Sequence, residues 1–267
     1  MGQFRQPYAV QPGFTQLLRG ELAQVLDRLE KLGGLWQNWL DLLPPGTVDL
    51  SPLPGDEKFM NLTARRPVTE LAFASWADEA PGVTIRRGVG IAELATGAAD
   101  RRGVVHVCGV VTESGERIPA DLVVDATGRN TQLAARLAAL GAPPPTEAQQ
   151  EFGGTYYSRF YRSRSGSLPE SVSDEQFIQG QSIGLFAFTG DNATYCLSVY
   201  GLSDDTPLRA TRRPEVFEAI VRAFPDREHW LNGEPISEIT AFAARSDCTR
   251  EFRDRRRAHR HRHRRVG

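Results

Sequence analysis

The N-terminal third of the chain contains two segments with the hydrophobic spacing of amphipathic helices. The first follows Thr15, whose hydroxyl suits a helix N-cap, and ends at Gly33. A second helix is predicted over residues 66–79, where Pro67 suits the first turn and Pro81 follows the last. In the first segment the apolar residues recur every three or four positions, at Leu18, Leu22, Val25, Leu29 and Leu32.

The next part of the chain changes to short apolar runs typical of strands. Three runs, at 83–87, 89–94 and 103–112, predict a β-meander, and ESGE at 113–116 predicts a hairpin turn. The stretch ADLVVDATGRNT at 120–131 then places successive apolar residues directly before an acidic residue. This pattern is typical of a parallel strand buried on both faces.

A helix over 132–140 follows, capped by Asn130 or Thr131, and the three prolines at 143–145 mark a domain boundary. Beyond it the pattern predicts a sheet with one further helix, at 214–224, and a short helical stretch around His229-Trp230. The sequence thus predicts an α/β fold of mixed α+β type, with domains at 1–145 and 146–245 and a tail at 246–267. The predicted strands of the second domain are 153–162, 181–189, 193–201 and 236–244.

The bulk composition excludes several classes of protein. The chain has 267 residues with 40% hydrophobic and 24% charged residues, and no apolar run reaches the length of a membrane span. Its first residues lack the pattern of a signal peptide. The three cysteines, Cys108, Cys196 and Cys248, form no CxxC pair, so we expect free thiols in the cytoplasm, with no metal site among them.

Charge is concentrated at the C-terminus. The net charge is −1, and residues 253–267 hold eight arginines and one aspartate, or +7, which leaves −8 for residues 1–252. An acidic body does not favour nucleic-acid binding. The tail has three interpretations. It could be an arm for nucleic acid or another acidic partner, or a metal-binding tract at His259, His261 and His263. The third interpretation, out-of-frame translation of GC-rich DNA, is the one that we favour.

The order of these motifs resembles that of a known family. Five consecutive segments resemble FAD-dependent oxidoreductases of the aromatic-hydroxylase, geranylgeranyl-reductase and tryptophan-halogenase type. They are the helix opening ARRPVTELAF, the run PGVTIRRGVGIAEL, the meander, ADLVVDATGRNT and the strand GGTYYSRFYRSR. The resemblance covers about residues 1–245. It implies a partial glutathione-reductase-like FAD domain with a β-meander, followed by an antiparallel-sheet substrate domain.

The resemblance also implies cofactor-binding positions. Taken alone, Arg66 is better interpreted as a surface arginine paired with Glu70, but the order of the motifs favours its contact with the pyrophosphate. The backbone near Ile91 would lie against the adenine. Asp125 would orient the turn beside the flavin, where Gly128 lets backbone and ligand approach.

Two further regions have both a functional and an ordinary interpretation. The N-terminal loop, with Gln3, Arg5 and Tyr8, resembles the segment that runs under the flavin ring in the family, and it is also consistent with a simple loop. The substrate pocket would lie on residues 152–160 and 183–200. The aromatic residues expected there, which could equally belong to a core, are Phe152, Tyr156, Phe160, Phe186 and Phe188.

Two motifs expected of the family are absent from the sequence. No GxGxxG follows a strand, since Gly88 and Gly90 lie in the meander and Gly153-Gly154 opens a strand. Gly190-Asp191 lies between two strands and is interpreted as a hairpin turn, not as the family's C-terminal Gly-Asp motif.

The sequence therefore favours an incomplete FAD-dependent oxidoreductase, of monooxygenase type, that acts on a small organic substrate with NAD(P)H as the possible electron donor. Whether this chain is itself an active enzyme stays open, and so do its catalytic residues and oligomeric state. The alternative is a non-catalytic remnant or a binding module without bound cofactor. No metal and no nucleic-acid partner is expected.

Overall fold

The computed structural model describes residues 2–43, 51–98, 104–128, 131–169 and 177–251. The contacts divide the chain into two units. Residues 1–84 and 151–245 form what we call the sheet unit, and residues 85–150 and 246–267 form the meander unit. The functional division predicted at residue 145 stays a prediction. Of the tail predicted at 246–267, residues 246–251 belong to a strand, and residues 252–267 lie outside the described residues.

Helices and a two-stranded ribbon form the N-terminal part of the sheet unit. The helices are α1 (Pro12–Glu21), α2 (Ala23–Lys31) and α3 (Arg66–Glu79). Strands β1 (Leu35–Asn38) and β2 (Met60–Thr63) pair antiparallel. Their shared core confirms the predicted apolar face, and its buried members include Leu18, Val25, Leu29, Leu62 and Ala72.

The first predicted helix is in fact two helices. Leu22 has φ −142° and ψ 50°, so it leaves the helical region and separates α1 from α2. Helix α1 starts before Thr15, with Pro12 in its first turn and Gln11 at the N-cap. The prediction that Thr15 caps the helix is therefore wrong.

Thr15 instead belongs to a buried hydrogen-bond network. Its hydroxyl donates to Asn61 Oδ1 at 2.7 Å and accepts from the Leu62 N–H at 3.1 Å. Asn61 Nδ2 in turn donates to the carbonyl oxygen of Val10 at 2.6 Å. Thr15 and Asn61 are both 1% exposed, so water cannot reach their polar groups. The hydrogen bonds within the protein therefore satisfy these groups instead.

We expect Thr15→Val to lower the free energy of unfolding by about 2 kcal/mol, because it leaves the Asn61 carbonyl and the Leu62 N–H without a partner in the interior. Urea unfolding followed by circular dichroism measures the loss. The matched control is Thr211→Val, since Thr211 is also fully buried but its hydroxyl has no partner among the described residues. Equal losses in the two variants would contradict this account.

The meander unit contains a small antiparallel sheet and one described helix. Strands β3 (Ile91–Thr96), β4 (Val107–Thr112) and β5 (Arg117–Pro119) pair in that order, and the predicted turn at 113–116 joins the last two. Helix α4 (Leu133–Ala139) lies where a helix was predicted.

Two predicted strands in this part of the chain are wrong. Residues 83–87 pair with no described strand, and Arg86 forms an ion pair with Glu116. Residues 120–125 are not a buried parallel strand. Leu122 and Val124 are each 77% exposed, because the described strands of this unit pair with one another and none of them pairs with 121–125.

A larger sheet dominates the rest of the sheet unit. Its strands are β6 (Thr146–Arg162), β7 (Phe177–Gln179), β8 (Ile183–Thr189), β9 (Thr194–Leu202), β10 (Glu234–Pro235) and β11 (Thr240–Glu251). They pair in the order β10-β6-β9-β8-β7, with β11 also paired to β6. Helix α5 (Pro214–Ala223) and a 3-10 helix (Glu228–Asn232) pack near this sheet and confirm the helical signals there.

One face of this sheet forms the main core. Strand residues that alternate along β6, β8 and β9 pack with Phe217, Val221 and Trp230, all of which are fully buried. Strand partners on this face include Tyr161 opposite Tyr195 and Leu185 opposite Val199. The opposite face holds three of the aromatic residues predicted for a substrate pocket, Tyr156, Phe186 and Phe188.

Candidate functional site

The turn after the unpaired segment has a defined hydrogen-bond geometry. Asp125 Oδ1 accepts from the backbone N–H of Thr127 at 2.9 Å and from its hydroxyl, and Asp125 Oδ2 accepts from the hydroxyl of Thr131. Thr131 Oγ1 accepts from the Leu133 N–H at 3.0 Å, at the start of α4. The carboxylate thus ties the turn to the helix that follows it, as the motif predicts.

These hydrogen bonds also act on the charge of Asp125. The hydroxyls of Thr127 and Thr131 and the Thr127 N–H lower the pKa of this carboxyl to about 2. Asp125 is therefore an anion at neutral pH. Nearby Gly128 has φ +71°, a conformation that favours glycine, and apart from its chain neighbours no described residue has a heavy atom within 4 Å of the place where a Cβ would stand. Gly128 is exposed, so the backbone conformation and not close packing is what favours glycine there.

Helix α4 links two of the predicted positions. Arg136 donates from Nη2 to the carbonyl oxygen of Ile91 at the start of β3, and its charge also lowers the pKa of Asp125. The main chain near Ile91 is fixed further by the bond from the Glu113 N–H to the Gly90 carbonyl at 2.9 Å. Asp125, Gly128 and Ile91 therefore share one local framework in the meander unit. Arg136 was not predicted, because its partner is a backbone carbonyl 45 residues away.

Arg66 lies in the sheet unit, in the first turn of α3. Its Nε contacts Glu70 Oε1 at 2.6 Å, which is the pairing that sequence reasoning had left open. Its guanidinium carbon also lies 5.7 Å from the centroid of the Tyr8 ring. No described residue accepts a hydrogen bond from its terminal nitrogens, so these donors could still meet an anion.

The start of α3 is fixed by a residue that sequence reasoning interpreted only as part of a turn. Asp191 is fully buried and accepts from Arg65 through Nε at 2.9 Å, Nη2 at 2.7 Å and the backbone N–H at 2.9 Å. Desolvation alone would raise the pKa of this carboxyl, but the Arg65 hydrogen bonds outweigh it and the pKa is lowered. Asp191 thus anchors the backbone directly before Arg66.

The predicted hairpin at Gly190-Asp191 is confirmed, and its geometry explains this anchor. Asn192 and Ala193 have φ 51° and φ 55°, and the Thr194 N–H donates to the Asp191 carbonyl at 3.0 Å. This is the two-residue turn that matches the twist of a hairpin. Asn192 Nδ2 donates to the Leu32 carbonyl at 2.9 Å, so the turn also contacts the end of α2.

The second face of the large sheet carries a cluster of rings, which we call the aromatic face. Ring centroids lie 5.1 to 6.4 Å apart within it. It includes three of the predicted residues, while Phe160 is buried nearby and the side chain of Phe152 lies outside the described set. The members of the aromatic face are Tyr156, Phe177, Phe186, Phe188, Tyr200 and Phe242.

The N-terminal segment is held at several points. Thr240 Oγ1 donates to the Arg5 carbonyl at 2.9 Å, Gln6 Nε2 donates to Thr240 Oγ1 at 3.3 Å, and the Val10 carbonyl is bound by Asn61. Tyr8 lies between these anchors, and burial raises its pKa, so its phenol is neutral. The Gln3 side chain is outside the described set.

Metal and membrane sites are not evident in the described ranges. No group of three or more His, Cys, Asp or Glu side chains there could hold a metal ion, and no described helix is long and apolar enough to cross a bilayer. Cys108 and Cys196 are free, whereas the Cys248 side chain and the histidines of the tail lie outside the described set.

Comparison with known sequences gives one partial relative. No known protein-family model matches this chain. Protein Rv3254 of Mycobacterium tuberculosis (strain ATCC 25618 / H37Rv) is 34% identical over 115 residues, which are 43% of this chain. The chain spans only 23% of the length of that protein.

Solved structures give a broader likeness. PqsL from Pseudomonas aeruginosa, a probable FAD-dependent monooxygenase, matches 89% of this chain with a TM-score of 0.59 and 15% identity. The flavin-dependent brominase Bmp2 matches 94% with a TM-score of 0.59 and 15% identity, and the flavin-dependent halogenase CmlS matches 92% with a TM-score of 0.59 and 13% identity. The chain covers 63%, 60% and 44% of these three proteins.

This likeness establishes the fold. The chain has the mixed α/β fold of FAD-dependent monooxygenases and flavin-dependent halogenases, with antiparallel sheets, as the family resemblance predicted. It spans less than two thirds of each of those proteins. Sequence identity of 13 to 15% carries the fold and not the activity.

Proposed function

We propose that this chain is the central part of an FAD-dependent oxidoreductase of monooxygenase type that acts on a small organic substrate in the cytoplasm. The observation that supports this most is the set of contacts by which the Asp125 carboxylate holds Thr127 and Thr131, with Gly128 in a left-handed conformation between them. The fold of the flavin-dependent neighbours agrees with it.

The residues present fit part of an FAD site. Within the meander unit, the turn at Gly128 would receive the flavin side of the cofactor and the main chain at Ile91 would meet the adenine. Within the sheet unit, taken by itself, the terminal nitrogens of Arg66 would meet a phosphate. When bound, FAD would supply the redox chemistry, with NAD(P)H as the electron donor. The protein would contribute orientation and exclusion of water.

The aromatic face would supply the substrate surface. Its rings form a mostly apolar sheet face, and the hydroxyl of Tyr200 donates to Gln179 Oε1 at 2.6 Å, so this polar group is already satisfied. A small organic molecule with an apolar body suits such a surface. One solved structure of PqsL holds 2-aminobenzoylacetate, which is a molecule of this size class.

The sequence does not provide a phosphate-binding GxGxxG, and we propose that the chain is an incomplete form of such an enzyme. The isolated chain is therefore expected to bind FAD weakly, at less than one equivalent after purification with added FAD. The visible absorption spectrum of the purified protein measures the bound flavin. A stoichiometric yellow complex would overturn the proposal that the site is incomplete.

The residual binding should depend on the residues assigned above. We expect Arg66→Met and Asp125→Ala each to weaken FAD binding at least threefold in a flavin-fluorescence titration, because they remove a phosphate donor and the tie that holds the turn. Arg213→Met is the matched control, since Arg213 is exposed and distant in sequence from these positions. Equal effects in all three variants would argue against the assignment.

A non-catalytic remnant or binding module is the alternative, and one observation favours it. Leu122 and Val124 are exposed in an unpaired segment directly before Asp125, so the element that should carry the turn is incompletely supported. This alternative predicts no flavin binding that responds to Arg66 or Asp125. The same titration therefore distinguishes the two functions.

A further inference from the structure

The position of Arg66 is defined on several sides before any ligand is considered. Glu70 contacts its Nε, the Tyr8 ring lies 5.7 Å from its guanidinium carbon, and Asp191 anchors the preceding residue. A cation within about 6 Å of an aromatic centroid is attracted by the ring face. The side chain is 32% exposed, so one part of the guanidinium remains accessible.

Tyr8 is itself held in place by its own segment. The Arg5 carbonyl is bound by Thr240 and the Val10 carbonyl by Asn61, so backbone hydrogen bonds restrain the chain on both sides of Tyr8. Its phenol has a raised pKa because of burial, and the ring therefore stays uncharged beside the arginine. The Tyr8 ring is therefore uncharged, and the backbone on both sides of it is held by hydrogen bonds.

We propose that Tyr8 is a positioning residue that holds the Arg66 guanidinium ready for a phosphate of the flavin cofactor. The proposal rests on the proposed function for its ligand. Glu70 engages Nε alone, so the ring and the carboxylate together restrain the guanidinium while Nη1 and Nη2 keep no partner among the described residues. A free arginine loses rotamer freedom when it binds an anion, and an arginine already restrained loses less.

The expected effect follows from the ring and not from the hydroxyl. Tyr8→Phe keeps the aromatic face and should leave FAD affinity within twofold of the unchanged protein. Tyr8→Leu keeps the apolar bulk but removes the ring, and it should weaken FAD binding about fivefold. In an Arg66→Met background, Tyr8→Leu should have no further effect, because the residue through which it acts is gone.

A flavin-fluorescence titration with FAD measures these affinities in the full chain. Phe4→Leu is the matched control, since Phe4 is another aromatic residue of the same N-terminal segment and makes no arginine contact among the described residues. Equal weakening by Phe4→Leu and Tyr8→Leu, or a full Tyr8→Leu effect without Arg66, would overturn the positioning role.

A second measurement does not require FAD. In the ligand-free protein, hydrogen exchange of the Arg66 Nε–H, followed by nuclear magnetic resonance, should be slow in Tyr8→Phe and about tenfold faster in Tyr8→Leu. If the unchanged chain binds no FAD, the proposed function fails while this measurement still decides whether Tyr8 restrains Arg66. Unchanged exchange in Tyr8→Leu would overturn the inference even if FAD binds.

Discussion

Asp191→Ala is expected to lower the free energy of unfolding by about 3 kcal/mol, because it removes a buried carboxylate that accepts three hydrogen bonds from Arg65. The loss falls short of that for a fully buried pair, because Arg65 is 27% exposed and water can partly solvate the charge left behind. Asp191→Asn, which keeps the shape, should lose less. Urea unfolding followed by circular dichroism gives these values.

The matched control is the ion pair of Arg28 and Glu79, which has a similar two-pronged geometry on the surface. Glu79 is 67% exposed, so Glu79→Ala should change stability little. A loss in Glu79→Ala as large as that in Asp191→Ala would show that burial of the pair is not the cause.

The same residue should also make stability depend on pH. The pKa of Asp191 is lowered in the folded state from its ordinary 3.8, because the bonds from Arg65 outweigh desolvation. This contribution is fully present above the unfolded pKa and is lost as the pH falls through the folded pKa. From pH 5 to pH 3 the unchanged protein should therefore lose more stability than Asp191→Asn, and parallel curves would contradict the assignment.

Trp230→Ala is expected to lower the free energy of unfolding by about 4 kcal/mol. Trp230 is fully buried in the main core with Phe217 and Val221, so the substitution removes a large apolar side chain and leaves a cavity. Circular dichroism is the suitable probe, since the variant also loses a fluorophore. The 3-10 helix Glu228–Asn232 is short, and its own hydrogen bonds cannot replace this packing.

The comparison variant for Trp230 is Leu122→Ala. Leu122 is 77% exposed in the unpaired segment, so the loss of its side chain should alter stability by less than about 0.5 kcal/mol. Comparable losses in the two variants would mean that residues 120–125 are buried in solution, which would restore the strand that the sequence predicted there.

Helices and turns of this fold could be predicted where the residues that start or end them lie close together in the sequence. Pro67 and the Pro81-Gly82 pair bracket helix α3, and the prediction matched the helix bounds. The spacing of apolar residues identified the buried face of α1 and α2 but not the break at Leu22, since the same face continues on both sides of it. The apolar residues at 122–124 are suited to a buried strand, but burial also requires a neighbouring strand to pair with. The sequence of this segment does not indicate whether such a strand is present.

The candidate site divides in the same way. Asp125 and its turn partners lie within six residues, so the sequence could predict their bonding. The contact of Arg65 with Asp191 joins positions 126 residues apart, and nothing in either segment indicates the other. The same holds for Arg136 and Ile91. For Tyr8 and Arg66 the sequence contains both residues but does not indicate that the guanidinium lies over the ring.

The hydroxyl of Tyr195 has a consequence for how this sequence can evolve. It donates to the Trp230 carbonyl at 2.8 Å and accepts from the Gly233 N–H at 3.2 Å. A Cβ at position 233 would stand 2.3 Å from that oxygen and 3.0 Å from the carbonyl oxygen of Arg162. Loss of the hydroxyl alone would remove the hydrogen bond to the Gly233 N–H and one to the Trp230 carbonyl, and a side chain gained at 233 would collide with the hydroxyl. We therefore expect a substitution at either of positions 195 and 233 to change which residues the other position tolerates.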